Sequence, residues 1–200
     1  VASLDLNSLE LTQKAAEEIA DKYGSLDVLI NNAGLALGLE PADKANFNDW
    51  QRMINTNVLG LVHLTHEILP FMTAKNSGYV INIGSTAGNH PYFGANVYGA
   101  TKAFVRQFSL NLRADLVGKK VRVTNLEPGL CGGTEFSNVR FKDDYDKASA
   151  VYEGVEYIQP TDIANIVAWL VEQPEHLNVN ELELMPTAQT FAGLTVVKDL

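Results

Sequence analysis

Two hundred residues, 46% of them hydrophobic and 20% charged, suffice for one α/β domain with a sizeable core and argue against intrinsic disorder. Fifteen Lys and Arg against 24 Asp and Glu leave a net charge of −9, which repels nucleic-acid phosphates and anionic lipid, so neither nucleic acid nor a membrane is an expected partner. A single cysteine, Cys131, excludes an internal disulfide and a four-thiolate metal site, and it suits a reducing cytoplasm.

Short apolar runs alternate with long amphipathic segments along the chain. Val1–Leu6 reads as a strand, followed by a helical pattern over Ser8–Tyr23. Val28–Asn31 is a second strand, ahead of a long helical pattern at Asn48–Ala74. Tyr79–Ile83 is a third, lying within the charge-free stretch Asn76–Thr101. That stretch carries Gly, Asn, Pro and His that break any membrane-spanning helix. Asn96–Val117 is helical, with Phe104, Phe108, Leu112 and Leu116 at four-residue spacing marking one buried stripe. Val121–Leu126 is the fourth strand, and Asn138–Val155 a charged, partly helical insertion of the kind that covers ligands. Thr161–Glu172 is a last helix, opened just after Pro160, and Leu182–Leu184 a last strand. The opening Val-Ala-Ser-Leu-Asp has neither the basic region nor the apolar core of a signal peptide. Strands alternating with helices predict a parallel sheet with right-handed crossovers and helices on both faces.

Ligands of such a sheet bind beyond the carboxyl ends of its strands. Small, turn-forming residues stand there in three places: Asn31-Asn32-Ala33-Gly34, Gly84-Ser85-Thr86-Ala87-Gly88 and Glu127-Pro128-Gly129. Each alone is a tight turn; three on one sheet edge leave room for a flat ligand against backbone. Next to them, Tyr98 and Lys102 lie four residues apart at the start of a helix, on one face. A cation beside a phenol favours tyrosinate, so Lys102 is expected to lower the pKa of Tyr98 and make it a proton donor and acceptor. Ser85 could hold a carbonyl or alcohol oxygen, or simply cap a turn.

Asn31-Asn32-Ala33-Gly34, Asn57 in Asn-Val-Leu-Gly, Ser85, Tyr98-Gly99-Ala100-Thr101-Lys102 and Pro128-Gly129 together resemble the short-chain dehydrogenase/reductase family, over essentially the whole chain. The resemblance implies a Rossmann-like doubly wound parallel sheet and one dehydrogenase domain over residues 1–200. It implies Tyr98 as general acid/base, Ser85 orienting the substrate oxygen, and Lys102 lowering the tyrosine pKa while holding the nicotinamide ribose. Asn57 would hold a water in a proton relay to Lys102; its residue type alone reads instead as a helix-interior amide satisfying backbone. Cofactor contacts are implied for Asp5, Asn31, Ala33, Gly34, Tyr98, Lys102, Pro128 and Gly129, and a homotetramer in which the two long helices pair across a two-fold axis.

A narrower resemblance lies in Glu127-Pro128-Gly129-Leu130, in Gly133-Thr134-Glu135-Phe136-Ser137-Asn138-Val139-Arg140-Phe141 and in Leu184-Met185-Pro186-Thr187. These are similar to bacterial NADP-dependent 3-hydroxy acid dehydrogenases that oxidise serine and L-allo-threonine. That implies an NADP cofactor touched by Thr134, a small hydroxy acid or oxo acid as substrate, and a substrate-loop insertion at residues 134–158. Arg140, just beyond Thr134, could clamp the substrate carboxylate bidentately or be a surface arginine. A carrier-linked 3-oxoacyl reductase would use the same catalytic residues, and a cofactor-free scaffold on a decayed dehydrogenase fold is the reading from another class.

No glycine-rich phosphate loop occurs in the chain. Matching Asp5 to the family's adenine-side aspartate implies that the first two strands of the family fold, about 50 residues, precede Val1. The residue choosing NADP over NAD lies in that segment, which leaves NAD open. With the family's strand order 3-2-1-4-5-6-7, Val1–Leu6 and Val28–Asn31 are expected about 14 Å apart, separated by a slot.

Overall fold

A computed structural model of the chain describes residues 4–24 and 26–192. Four strands, β1 (Val28–Asn31), β2 (Gly78–Ile83), β3 (Val121–Pro128) and β4 (Glu181–Leu184), form a parallel sheet in the order β1-β2-β3-β4. The Rossmann-like α/β architecture is as expected. Seven α-helices lie among the described residues: α1 (Leu9–Tyr23), α2 (Phe47–Ile54), α3 (Leu61–Lys75), α4 (Asn96–Asp115), α5 (Phe136–Arg140), α6 (Tyr145–Ala150) and α7 (Pro160–Glu172). None is long and apolar enough to cross a membrane.

Alternation along each strand sorts the side chains onto two faces. Leu29, Val80 and Val123 meet Ala16 of α1, Ile68 and Met72 of α3, and Leu112 of α4. Tyr79, Ile81 and Leu126 face the other way, against Ile163, Ile166, Val167 and Leu170 of α7. Strand succession steps in one direction across the sheet, yet α3 and α4 lie on one face and α7 on the other. The third crossover therefore has the opposite hand to the first two. Uniformly right-handed crossovers were expected; the segment between β3 and β4 instead carries α7 to the opposite face of the sheet.

Local chemistry explains the element ends. The Ser8 hydroxyl accepts from the Leu11 amide at 3.3 Å and opens α1. A capping box sets α7, where the Gln159 amide donates to the Asp162 carboxylate at 2.8 Å and Pro160 takes the first turn. Leu112 on α4 and Leu116 just beyond its end are buried, but Phe104 is 40% exposed. Four residues exceed one turn of 3.6, so the expected stripe drifts around the helix; Tyr98, Thr101, Val105, Ser109 and Leu112 are the face that is buried.

Above the apolar core comes a polar level. Asn31, Asn82 and Asn125 occupy paired register positions on three adjacent strands, all buried. Asn31 Nδ2 donates to Asn82 Oδ1 at 2.7 Å and to the Thr65 hydroxyl of α3 at 2.9 Å. Asn82 Nδ2 donates to Ser109 of α4 at 2.8 Å. Beyond this level the strands end and the cleft begins.

Of the expected strand Val1–Leu6, the first three residues lie outside those described, and Leu4–Leu6 are not strand. β1 pairs with β2 alone among the described residues. Beside its other edge lies a cavity of about 300 Å³ lined by Leu4, Leu6, Ile30 and Leu61.

Candidate active site

All three strand-end turns contribute to one cavity of about 460 Å³: Asn32 and Gly34 after β1, Gly84 and Ser85 after β2, Pro128 and Gly129 at the end of β3. Tyr98 and Lys102 reach it from α4, while Thr134, Phe136 and Val139 wall it from the segment after β3. The turn Thr86–Gly88 carries Ser85 as its cap, the Ser85 Oγ accepting from the Ala87 amide at 3.1 Å. The same hydroxyl hydrogen-bonds the Tyr98 phenol. The turn-capping reading of Ser85 is present, and its hydroxyl also lies in the lining of the cleft.

Glycines allow α4 to press on this turn. A Cβ on Gly88 would stand 2.9 Å from the Lys102 carbonyl carbon, and one on Gly99 3.0 Å from the Ala87 oxygen. Close backbone approach thus brings Tyr98 and Lys102 against Ser85. Lys102 Nζ donates to the Ile83 carbonyl at 2.8 Å, at the very end of β2.

The electrostatics differ from the expectation. Burial pushes the Tyr98 phenol up to about 12, against the lowering effects of the Ser85 hydrogen bond and the Arg140 guanidinium. Burial also pushes Lys102 down to about 8. Lys102 is not among the groups that shift Tyr98 here: its ammonium is turned to Ile83, and desolvation outweighs its nearness in sequence. The positive charge that lowers the phenol comes from Arg140.

Asn57 sits in a π-helical turn, Asn55–Gly60, that joins α2 to α3. Such turns widen the helix by one residue and recur at functional sites. Asn57 Oδ1 accepts from the Leu35 amide at 2.9 Å, and its Nδ2 donates to the Leu35 carbonyl at 2.8 Å and the Thr101 hydroxyl at 3.0 Å. The backbone-satisfying role is present. A Cβ on Gly34 would lie 3.3 Å from Lys102 Nζ and 3.4 Å from Asn57 Oδ1, so both groups flank one bare backbone surface.

The other sequence candidates scatter. Asn31 and Ala33 line the neighbouring 300 Å³ cavity, and the Asn31 side chain is turned inward to Thr65 and Asn82. Asp5 is exposed and accepts from the Asn7 amide at 3.0 Å, outside the lining of either cavity. Arg140 does not line the cleft, although Val139 beside it does. Its Nη2 donates to the Tyr92 hydroxyl at 2.7 Å and its Nε to the Gly38 carbonyl at 3.4 Å. It is neither a free surface arginine nor a group open to bidentate binding; only Nη1 has no partner among the described residues. Tyr92 and Leu35 were not singled out in the sequence, and Phe136 stood there only within a longer motif, without a role. They meet the centre only through folding: the Phe136 ring is 5.8 Å from that of Tyr98, with no spacing signal linking them.

The family described as short chain dehydrogenase matches residues 1–144. A probable NADP-dependent dehydrogenase of Haemophilus influenzae is 58% identical over 197 residues, covering 98% of this chain and 78% of its own length. An NADP-dependent 3-hydroxy acid dehydrogenase of Salmonella typhi is 55% identical over 195 residues, covering 98% and 79%. A solved closed form of serine dehydrogenase complexed with NADP+ superposes with a TM-score of 0.97 at 53% identity, covering 99% of this chain and 80% of the other.

Proposed function

The chain belongs to the short-chain dehydrogenase family of oxidoreductases, and on that premise we propose that it transfers a hydride between NADP and the hydroxyl-bearing carbon of a small 3-hydroxy acid of the serine or L-allo-threonine type. The observation that carries this reading is the meeting of the Ser85 hydroxyl, the Tyr98 phenol and Lys102 in one cavity at the strand ends. Relatives at 55% and 53% identity that bear the names of 3-hydroxy acid and serine dehydrogenases support the substrate class.

The residues present fit a nicotinamide half: Gly34 leaves backbone bare beside Lys102 and Asn57, with Gly84, Pro128, Gly129 and Thr134 around the same cavity. When bound, the nicotinamide accepts or supplies the hydride. Ser85 holds the substrate oxygen by its hydroxyl. Tyr98 takes the proton from that oxygen in oxidation and returns it in reduction. Lys102 would hold the ribose, and Asn57, which links the Leu35 backbone to Thr101, would serve the proton path toward Lys102. Residues 134–158, with α5 and α6, form the substrate loop within the single domain, closed over Tyr98 by Phe136. The enzyme is cytoplasmic and tetrameric, two-fold axes pairing α3 and α4 with their copies. The scaffold reading is set aside, because a scaffold has no need of a phenol, a hydroxyl and a buried amine in one cleft.

Tyr98→Phe keeps the ring packing and removes only the proton. In the full-length protein, turnover of serine and L-allo-threonine should fall by at least ~10²-fold, while NADP binding, followed by fluorescence, is retained. Turnover within a few-fold of the parent rules out the assignment.

A further inference from the structure

The guanidinium of Arg140 lies 5.4 Å from the centroid of the Tyr98 ring, 5.8 Å from that of Tyr92 and 6.0 Å from that of Phe136. Its hydrogen bond to the Tyr92 hydroxyl and the backbone bond from the Gly38 amide to the Arg140 carbonyl, at 2.9 Å, hold it there. Tyr98 and Phe136 pack in the same buried cluster with Ala36, Leu37 and Met53. Arg140 and Phe136 are the two ends of α5, so this short helix straddles the Tyr98 ring.

We propose that Arg140 is a positioning residue: carried on α5 and anchored by Tyr92 and Gly38, its guanidinium stabilises the Tyr98 phenolate, so that seating of the substrate segment readies the proton acceptor. The inference rests on Tyr98 being the acid/base.

Four other polar or charged groups bear on that phenol. Ser85 hydrogen-bonds it, and the Tyr92 phenol disfavours its ionised form. Lys102, on its own helix, is turned to the Ile83 carbonyl. Glu135 lines the cleft but is exposed and accepts from Asn138 at 3.0 Å. Of the two cations, Lys102 gives up its proton near pH 8, whereas an arginine keeps its charge across the working range. Arg140 is thus the cation that acts on Tyr98. The contact also has a favourable neutral form, because a guanidinium is attracted to a phenol face and more strongly to a phenolate.

The test replaces Tyr98 with difluorotyrosine, whose phenol titrates nearer neutrality, and follows its fluorine resonance against pH in three proteins: parent, Arg140→Gln and Arg140→Lys. Glutamine keeps a donor for Tyr92 without the charge; lysine keeps the charge without the fork. Arg140→Gln should raise the midpoint by about one pH unit, a tenfold gain in proton affinity, and Arg140→Lys should leave it within about a third of a unit. No shift in Arg140→Gln, or equal shifts in both variants, overturns the proposal. If Arg140→Gln does not fold, Arg140→Met takes its place as the uncharged variant. With the natural tyrosine, the pH profile of kcat should move the same way. Absence of any hydroxy-acid turnover in the parent would sink the functional reading, while the fluorine titration would still decide the role of Arg140.

Discussion

Lys102, the residue proposed to hold the ribose, carries a cost in stability. Its amine is buried and its proton affinity reduced, to about 8 from an ordinary 10.5. An unfolded chain therefore holds this proton more tightly between those two values, so the group destabilises the fold below pH 8 and the penalty fades as pH rises toward 10.5. Lys102→Met should abolish turnover yet raise stability at pH 7 by about 1–2 kcal/mol, after allowing for the lost bond to Ile83. Thermal melts should show that advantage shrinking between pH 8 and 10.5; a variant less stable than the parent at pH 7 contradicts the sign. The pairing of Tyr98 with Lys102 and Ser85 was legible in the sequence, because spacing and strand ends place side chains. The direction of the Tyr98 shift was not, because burial is a property of everything packed around a residue. Arg140 was legible as a candidate but not in its surroundings, which require Tyr92 and Gly38 to come from distant turns.

Among the elements, four of the five expected strands were read well: Val28–Asn31 agrees residue for residue and three others differ only at their ends, whereas Leu4–Leu6 of the expected Val1–Leu6 strand are not strand. Short β-branched runs between polar turns leave little choice. The pattern Asn48–Ala74 covers two α-helices and a π-helical turn, since periodicity reports a continuous apolar face and not the hydrogen-bond step beneath it. The junction between α4 and the Thr86–Gly88 turn has no such tolerance. Gly88→Ala would press a methyl against the Lys102 backbone, which cannot yield as a flexible side chain would. A loss of about 1–3 kcal/mol follows from overpacking, and turnover should fall with it as Lys102 and Tyr98 shift. Unchanged melting and turnover would mean that α4 moves aside freely.

For the whole molecule, assembly remains open to a direct test. Leu59 is 55% exposed and Phe104 40% exposed, beside a Phe104–Phe108 stack with ring centroids 5.9 Å apart. Light scattering of the full-length protein at micromolar concentration should give a tetramer, and Phe104→Glu should split it; a monomeric parent refutes the proposal. The overall α/β layering was legible from alternation alone, whereas the opposite hand of the third crossover was not, because hand depends on which face a long connection reaches. The row of Asn31, Asn82 and Asn125 has a consequence of its own for how the sheet assembles. A strand slipped by one residue would set Asn31 against Ile81 or Ile83 and turn its side chain to the wrong face. Each stranded amide would forfeit about 1–3 kcal/mol, a charge that apolar neighbours, being interchangeable, would never levy. The polar row thus acts as an address written across three strands: a misaligned sheet is rejected at the level from which the catalytic turns spring.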